Sequence, residues 1–167
     1  MSSGEQGTYR HRIAEVVHVK AAPSATFDHL DNHERLASHM MQSSSMMPGG
    51  AMAFTFDEGH GRALGSHITM TGKLLGLALD VSEVVTERVP PFRKVWEMTG
   101  RPRLLVIGAY RMGFEIEAEG TGSRLNVFID YDLPLWPSRL LGLIAGRFYA
   151  RWCVTSMARD AVRRFAT

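Results

Sequence analysis

The chain has 167 residues, 45% hydrophobic and 22% charged, with a formal net charge of +2. That length and balance fit one globular domain burying about 70% of the surface its unfolded chain exposes, and the lone Cys153 excludes an intrachain disulfide. Residues 1–8 are polar, without the apolar centre of a secretion signal, so they are expected to form a disordered tail before a single cytoplasmic domain over 9–167.

The first element is a strand over about Arg10 to Lys20, with Ile13, Val17 and Val19 on one face. Pro23 ends it, because proline has no ladder donor. Ser24 to Leu30 reads as a short helix. Asp31 followed by Glu34 resembles a capping box opening a second helix, on which Leu36, His39 and Met40 share a face. Gln42 to Gly50 has no period, and Met40, Met41, Met46, Met47 and Met52 crowd around it. Methionine suits irregular apolar surfaces, so this stretch is expected to form an adaptable rim over a cavity.

From Ala51 the period changes to two. Strands are predicted over Ala51 to Asp57, Ser66 to Leu75, Leu77 to Arg88, Arg93 to Thr99, a run from Tyr110 through Glu117, and Arg124 to Leu133. In the sixth strand Tyr110, Met112, Phe114 and Ile116 share one face, and Arg111, Glu115 and Glu117 the other. In the seventh, Leu125, Val127, Ile129 and Tyr131 alternate with Asn126, Phe128, Asp130 and Asp132. A long helix is predicted from Pro137-Ser138 to about Phe165, its apolar stripe running through Leu141, Ile144, Phe148, Trp152, Thr155, Ala158, Val162 and Phe165.

These elements make an α+β fold in which a curved seven-stranded antiparallel sheet wraps around the C-terminal helix, with two short helices between strands 1 and 2. Three local phrases carry a resemblance: Val17-His-Val-Lys-Ala-Ala-Pro23 with Phe27-Asp-His-Leu30, Val84-Val-Thr-Glu-Arg-Val-Pro-Pro-Phe-Arg-Lys-Val-Trp96, and Arg147-Phe-Tyr-Ala-Arg-Trp152. In this order they resemble the START-like helix-grip superfamily (SRPBCC), which includes the polyketide cyclase/dehydrase and lipid-transport family. The resemblance implies the helix-grip fold and an apolar ligand, and it carries no common catalytic motif.

Seven histidines raise the question of a metal, but the spacing does not supply one. His33-Glu34 lacks the second histidine of a zinc-protease motif, since position 37 is alanine and His39 is out of phase. His29 and His33 are expected to be separated by a break at Asp31-Asn32. No metal or other cofactor is assigned. Cys153, mid-helix beside Trp152 with no base in the local sequence, reads as a buried inert thiol. Gly59, Gly61 and Gly65 join two strands, so they do not form a dinucleotide loop.

The residues expected to line the cavity are Met40, Met52, His67, Trp96, Met98, Tyr110, Met112, Tyr131, Phe148 and Trp152. Tyrosine and tryptophan tips there would suit a ligand with a few oxygens. The leading reading is a carrier of a lipid, polyketide, quinone or similar molecule, as monomer or homodimer. An aromatase/cyclase or dehydratase acting on a polyketide-like substrate is the alternative, favoured by two convergent polar groups and a perturbed carboxyl or histidine in the cavity, as an almost wholly apolar cavity would favour the carrier. From Pro134 onward six arginines accompany one acid, a surplus of +5. A solvated helix face is the preferred account of them, with a membrane-peripheral lipid handler in weak contact with an anionic surface as a third reading. Nucleic acid is not expected, because the basic residues are not interleaved with stacking aromatics on strands.

Overall fold

The computed structural model describes residues 9–35, 51–74, 77–100, 107–134 and 142–166. Strand β1 (His11–Val19) leads into helix α1 (Pro23–Leu30), and helical residues 33–35 begin the second short helix. Six strands follow: β2 (Ala51–Phe56), β3 (His67–Leu74), β4 (Leu77–Val89), β5 (Arg93–Thr99), β6 (Tyr110–Glu119) and β7 (Gly122–Tyr131). A π-helical turn, Gly142–Gly146, then runs into α2, Arg147–Arg164. Among the described residues no helix is long and apolar enough to cross a membrane.

All strand pairs are antiparallel, in the order β1-β7-β6-β5-β4-β3-β2. The chain therefore crosses from one sheet edge to the other between β1 and β2, and the short helices lie on that crossing. Helix α2 packs on β1 and β7, while α1 packs on β6 and β7. Ile13, Val17 and Val19 do face this core, as their alternation required.

The short helices separate where the Asp31-Asn32 break was expected, but the cap differs from the capping box. Asn32 Oδ1 accepts from the Arg35 N–H at 3.1 Å, satisfying an orphan donor at the helix start. Asp31 is freed for a buried ion-pair cluster.

The predicted stripe of α2 holds toward its C-terminal end, where Ala158 is buried and Val162 and Phe165 pack on the core, but not at its start. Ala150, Cys153, Val154, Met157, Ala158 and Ala161 are buried, whereas Ile144 is 71% and Phe148 72% exposed. Small residues at the contact let the helix lie close to the sheet, and this outweighs the pull of the larger apolar residues. On the opposite sheet face, Phe128 and Asp130 are buried despite pointing away from α2. Arg12 lies 4.4 Å from the Phe128 ring centre, and both Arg12 and Arg111 hydrogen-bond Asp130. Arginine stems thus cover a sheet face that no described helix reaches.

Candidate functional site

The inner face of the sheet carries a buried polar group absent from the sequence-based site. Glu83 on β4 is 5% exposed and lies between Val81 and Val85, both core residues. Register places it opposite Met98 on β5, while Trp96 lies opposite Val85 and Met112. Tyr110 on β6 donates its hydroxyl to Glu83 Oε1, and the Trp96 side chain supplies a second hydrogen bond. Burial pushes the Glu83 carboxyl up to about 7, with both donors opposing the rise. Near neutral pH this group therefore exists in both protonation states.

Helix α2 closes over the same cluster. Tyr149 and Cys153, one turn apart, share a hydrogen bond, and Glu83 acts electrostatically on both. Burial drives the thiol up to about 12, so Cys153 is a poor nucleophile, as the sequence suggested. Met70, Met98 and Met112 are only partly buried, although each packs against the core. They give the Glu83 neighbourhood a deformable apolar wall.

A second polar cluster lies beneath the short helices. Lys94, wholly buried on β5, donates to Asp31 Oδ1 at 2.7 Å, the Asp31 carbonyl at 3.2 Å, the Gly61 carbonyl at 2.6 Å and His33 Nδ1 at 2.9 Å. Arg88 Nη2 donates to Asp31 Oδ2 at 2.8 Å. Burial works to raise Asp31, but the hydrogen bonds from Arg88 and Lys94 outweigh it and hold its carboxyl below the usual range. Burial and the Lys94 charge lower His33 to about 3.

An ammonium only donates, so neutral His33 accepts at Nδ1 and carries its proton on Nε2. That Nε2 has no hydrogen-bond partner among the described residues, and the ring meets Trp96 edge-on at 4.8 Å. Gly61 has φ 70°, and a Cβ there would come within 3.1 Å of the His33 ring, so glycine permits both the turn and the close approach. Lys94 has a full set of acceptors and no exposure. It is a pin joining β5, the helix break and the β2–β3 loop rather than an available amine.

The sequence-predicted residues divide accordingly. Trp96 and Tyr110 meet at Glu83, with Met98 opposite Glu83 and Met112 opposite Trp96 on the same face. Tyr131 is buried beside them, paired with Tyr110 and stacked on His11 at 5.3 Å. Trp152 is partly buried and lies 6.0 Å from the Tyr149 ring.

Two residues do not join this group. His67 is exposed, its parity opposite to that of core residue Ile68. Phe148 turns outward at the start of α2, where the predicted stripe does not hold. Met40, Met41, Met46 and Met47, and the side chain of Met52, lie outside the described residues, as does the proposed rim.

Sequence reasoning missed Glu83, Tyr149 and the Lys94 cluster. The available signal was a carboxylate at the same parity as Val81 and Val85. Val84 blurred it by making either face of β4 plausible. Among the described residues no group of three or more histidine, cysteine or acidic side chains could hold a metal. An open depression of about 590 Å³ lies elsewhere, where α1 approaches the end of α2, lined by His29, Arg35, Asp160, Arg163 and Arg164. It does not include the Glu83 cluster.

Residues 10–167 match the family described as polyketide cyclase / dehydrase and lipid transport. Norcoclaurine synthase from Thalictrum flavum aligns with a TM-score of 0.63 and 18% identity, over 93% of this chain and 86% of that one. A protein from Rhizobium loti aligns at 0.60 and 16%, over 90% and 96% respectively. One from Thermus thermophilus aligns at 0.60 and 13%, over 93% and 97%. At these identities the likeness is one of fold. No curated protein matches the sequence.

Proposed function

Because the chain belongs to the polyketide cyclase / dehydrase and lipid transport family, we propose that it binds a small hydrophobic ligand against the inner face of the sheet, with the Glu83 carboxyl engaging the ligand's polar end. One observation carries this reading: a protonatable carboxyl is buried within an apolar wall, held by Tyr110 and Trp96. A purely structural core gains little from such a group, because burying a carboxyl costs free energy that an apolar residue would not. The partly buried methionines around it supply a surface able to adapt to a lipid, quinone or aromatic skeleton.

Native mass spectrometry of gently purified protein, followed by solvent extraction, tests this reading. A reproducible bound lipid, quinone or aromatic compound supports it. Empty protein whose tryptophan fluorescence ignores a panel of fatty acids, quinones and hydroxylated aromatic polyketides removes it.

The Glu83 carboxyl near 7 also favours the aromatase/cyclase or dehydratase reading, since a general acid–base works best near its own pKa. With a β-hydroxy ketone over Glu83, the carboxylate would take the α-proton, leaving an enolate. Returning that proton to the β-hydroxyl as its carbon–oxygen bond breaks would release water and form the carbon–carbon double bond. Norcoclaurine synthase from Thalictrum flavum, which shares the fold, has been seen with dopamine and hydroxybenzaldehyde. Turnover of a β-hydroxy ketone probe by wild type and its loss in Glu83→Gln, with binding retained, would separate enzyme from carrier.

A further inference from the structure

We propose that the outward face of α2 and the preceding π-turn form a docking surface for an anionic phospholipid bilayer. Ile144, Phe148, Arg151, Thr155 and Arg159 recur every three or four residues and so share one helix face. This face lies away from the packed side of Ala150, Val154, Met157 and Ala161. Ile144 and Phe148 are 71% and 72% exposed, and neighbouring Leu143 is 54% exposed. Large apolar residues gathered at one helix end, rather than scattered singly, mark an interaction surface.

The charges select the occupant. Residues 142–166 contain five arginines and one acid, a net +4. That acid, Asp160, is bonded to His29 on the packed side of the helix. Among the described residues, Arg147, Arg151 and Arg159 form no ion pair. A cationic face with apolar side chains at its tip matches interfacial helices, whose aromatic and aliphatic residues enter the headgroup boundary while arginines reach the phosphates. A symmetric second copy would instead set arginine against arginine. A nucleic-acid backbone would leave Ile144 and Phe148 without a partner. The inference is independent of the role given to Glu83, because the residues of this face stand outside that cluster.

Flotation of the full-length protein with vesicles of phosphatidylcholine alone, or of phosphatidylcholine and phosphatidylglycerol in equal parts, tests it. Wild type is expected to float with the anionic vesicles at low salt and to be released at high salt. Ile144→Ser/Phe148→Ser should lower partitioning by about tenfold or more, with the far-UV spectrum and unfolding midpoint unchanged because both side chains are exposed. Arg151→Gln/Arg159→Gln should lower it by about fivefold per arginine while leaving the apolar tip intact. Absence of flotation with anionic vesicles, or flotation unaffected by both variants, overturns the inference. A concentration-dependent dimer lost on Phe148→Ser without vesicle binding would overturn it and assign the face to a second copy. Salt-sensitive retention on DNA with no flotation would overturn it in favour of nucleic acid.

Discussion

Replacing Glu83 with glutamine keeps the size and hydrogen-bonding capacity of the side chain but removes its ability to ionise. In the folded protein, burial raises this carboxyl from its ordinary 4.5 to about 7. The native state therefore holds its proton more tightly than the unfolded chain between those values. Stability from this group is fully present below pH 4.5 and is lost as pH rises to 7. Above 7 the folded protein carries the whole cost of a buried carboxylate. A displacement of this size corresponds to about 3 kcal/mol, and because the group is fully buried, solvent screening does not dilute it.

Urea unfolding of wild type and Glu83→Gln at several pH values isolates this effect, because other titrating groups cancel in the difference. Relative to the variant, wild type should lose about 3 kcal/mol between pH 4.5 and pH 8. Most of that loss should fall before pH 7. A difference that stays flat across this range would refute the assignment of Glu83 as a buried, proton-sharing carboxyl.

Tyr110→Phe removes the larger of the two hydrogen bonds that lower the Glu83 pKa, so the pH dependence measured against a Glu83→Gln/Tyr110→Phe background should extend above 7. An unmoved or lower endpoint would count against the contact. Lys94→Met leaves Asp31 with Arg88 alone and strips donors from Gly61 and His33. Breaking such a buried pair should destabilise the fold by about 3–5 kcal/mol in urea unfolding, and a change within the scatter of surface substitutions would deny Lys94 its pinning role. Cys153, raised from 9.0 to about 12, should react with iodoacetamide at pH 8 roughly a thousandfold more slowly in folded than in unfolded protein. Equal rates would mean that the thiol is not sealed beneath α2.

Legibility in the sequence followed the strength of the local period. β6 alternates cleanly, so Tyr110, Met112, Phe114 and Ile116 could be placed on one face, and all four reach or pack against the core. On β5 the consecutive buried run Lys94-Val95-Trp96 breaks the alternation, so sequence left the parity of Trp96 and Met98 open, although both reach or pack against the core. On β4 the run Val81-Ser82-Glu83-Val84-Val85 has apolar residues at both parities, and a bulge between Val85 and Glu87 shifts the register. A buried glutamate could not be distinguished there from an exposed one. Helix α2 misled for a different reason. Periodicity weighted toward large side chains selected Ile144 and Phe148, whereas close packing on the sheet selected Ala150, Val154 and Ala161. The Lys94–Asp31–His33 cluster joins positions about sixty residues apart, a pairing that no local period encodes.

A titrating carboxyl within an apolar wall also lets the ligand's chemistry be read as a proton count. At pH 7 Glu83 holds about half a proton, so a ligand stabilising one form over the other must take up or release protons as it binds. A carbonyl or quinone oxygen accepts a hydrogen bond from the acid form, favouring proton uptake. A hydroxyl or amine donating to the carboxylate favours release. Calorimetric titration in two buffers of different ionisation enthalpy gives the sign directly, with up to about half a proton exchanged per site at pH 7. The same titration on Glu83→Gln should lose that exchange while retaining the apolar part of the affinity. Proton exchange that survives in the variant would place the responsible group elsewhere and remove Glu83 from contact with the ligand. A quinone probe and an aromatic amine probe shifting the count in opposite directions would show that the Glu83 carboxyl senses the polar end of what is bound.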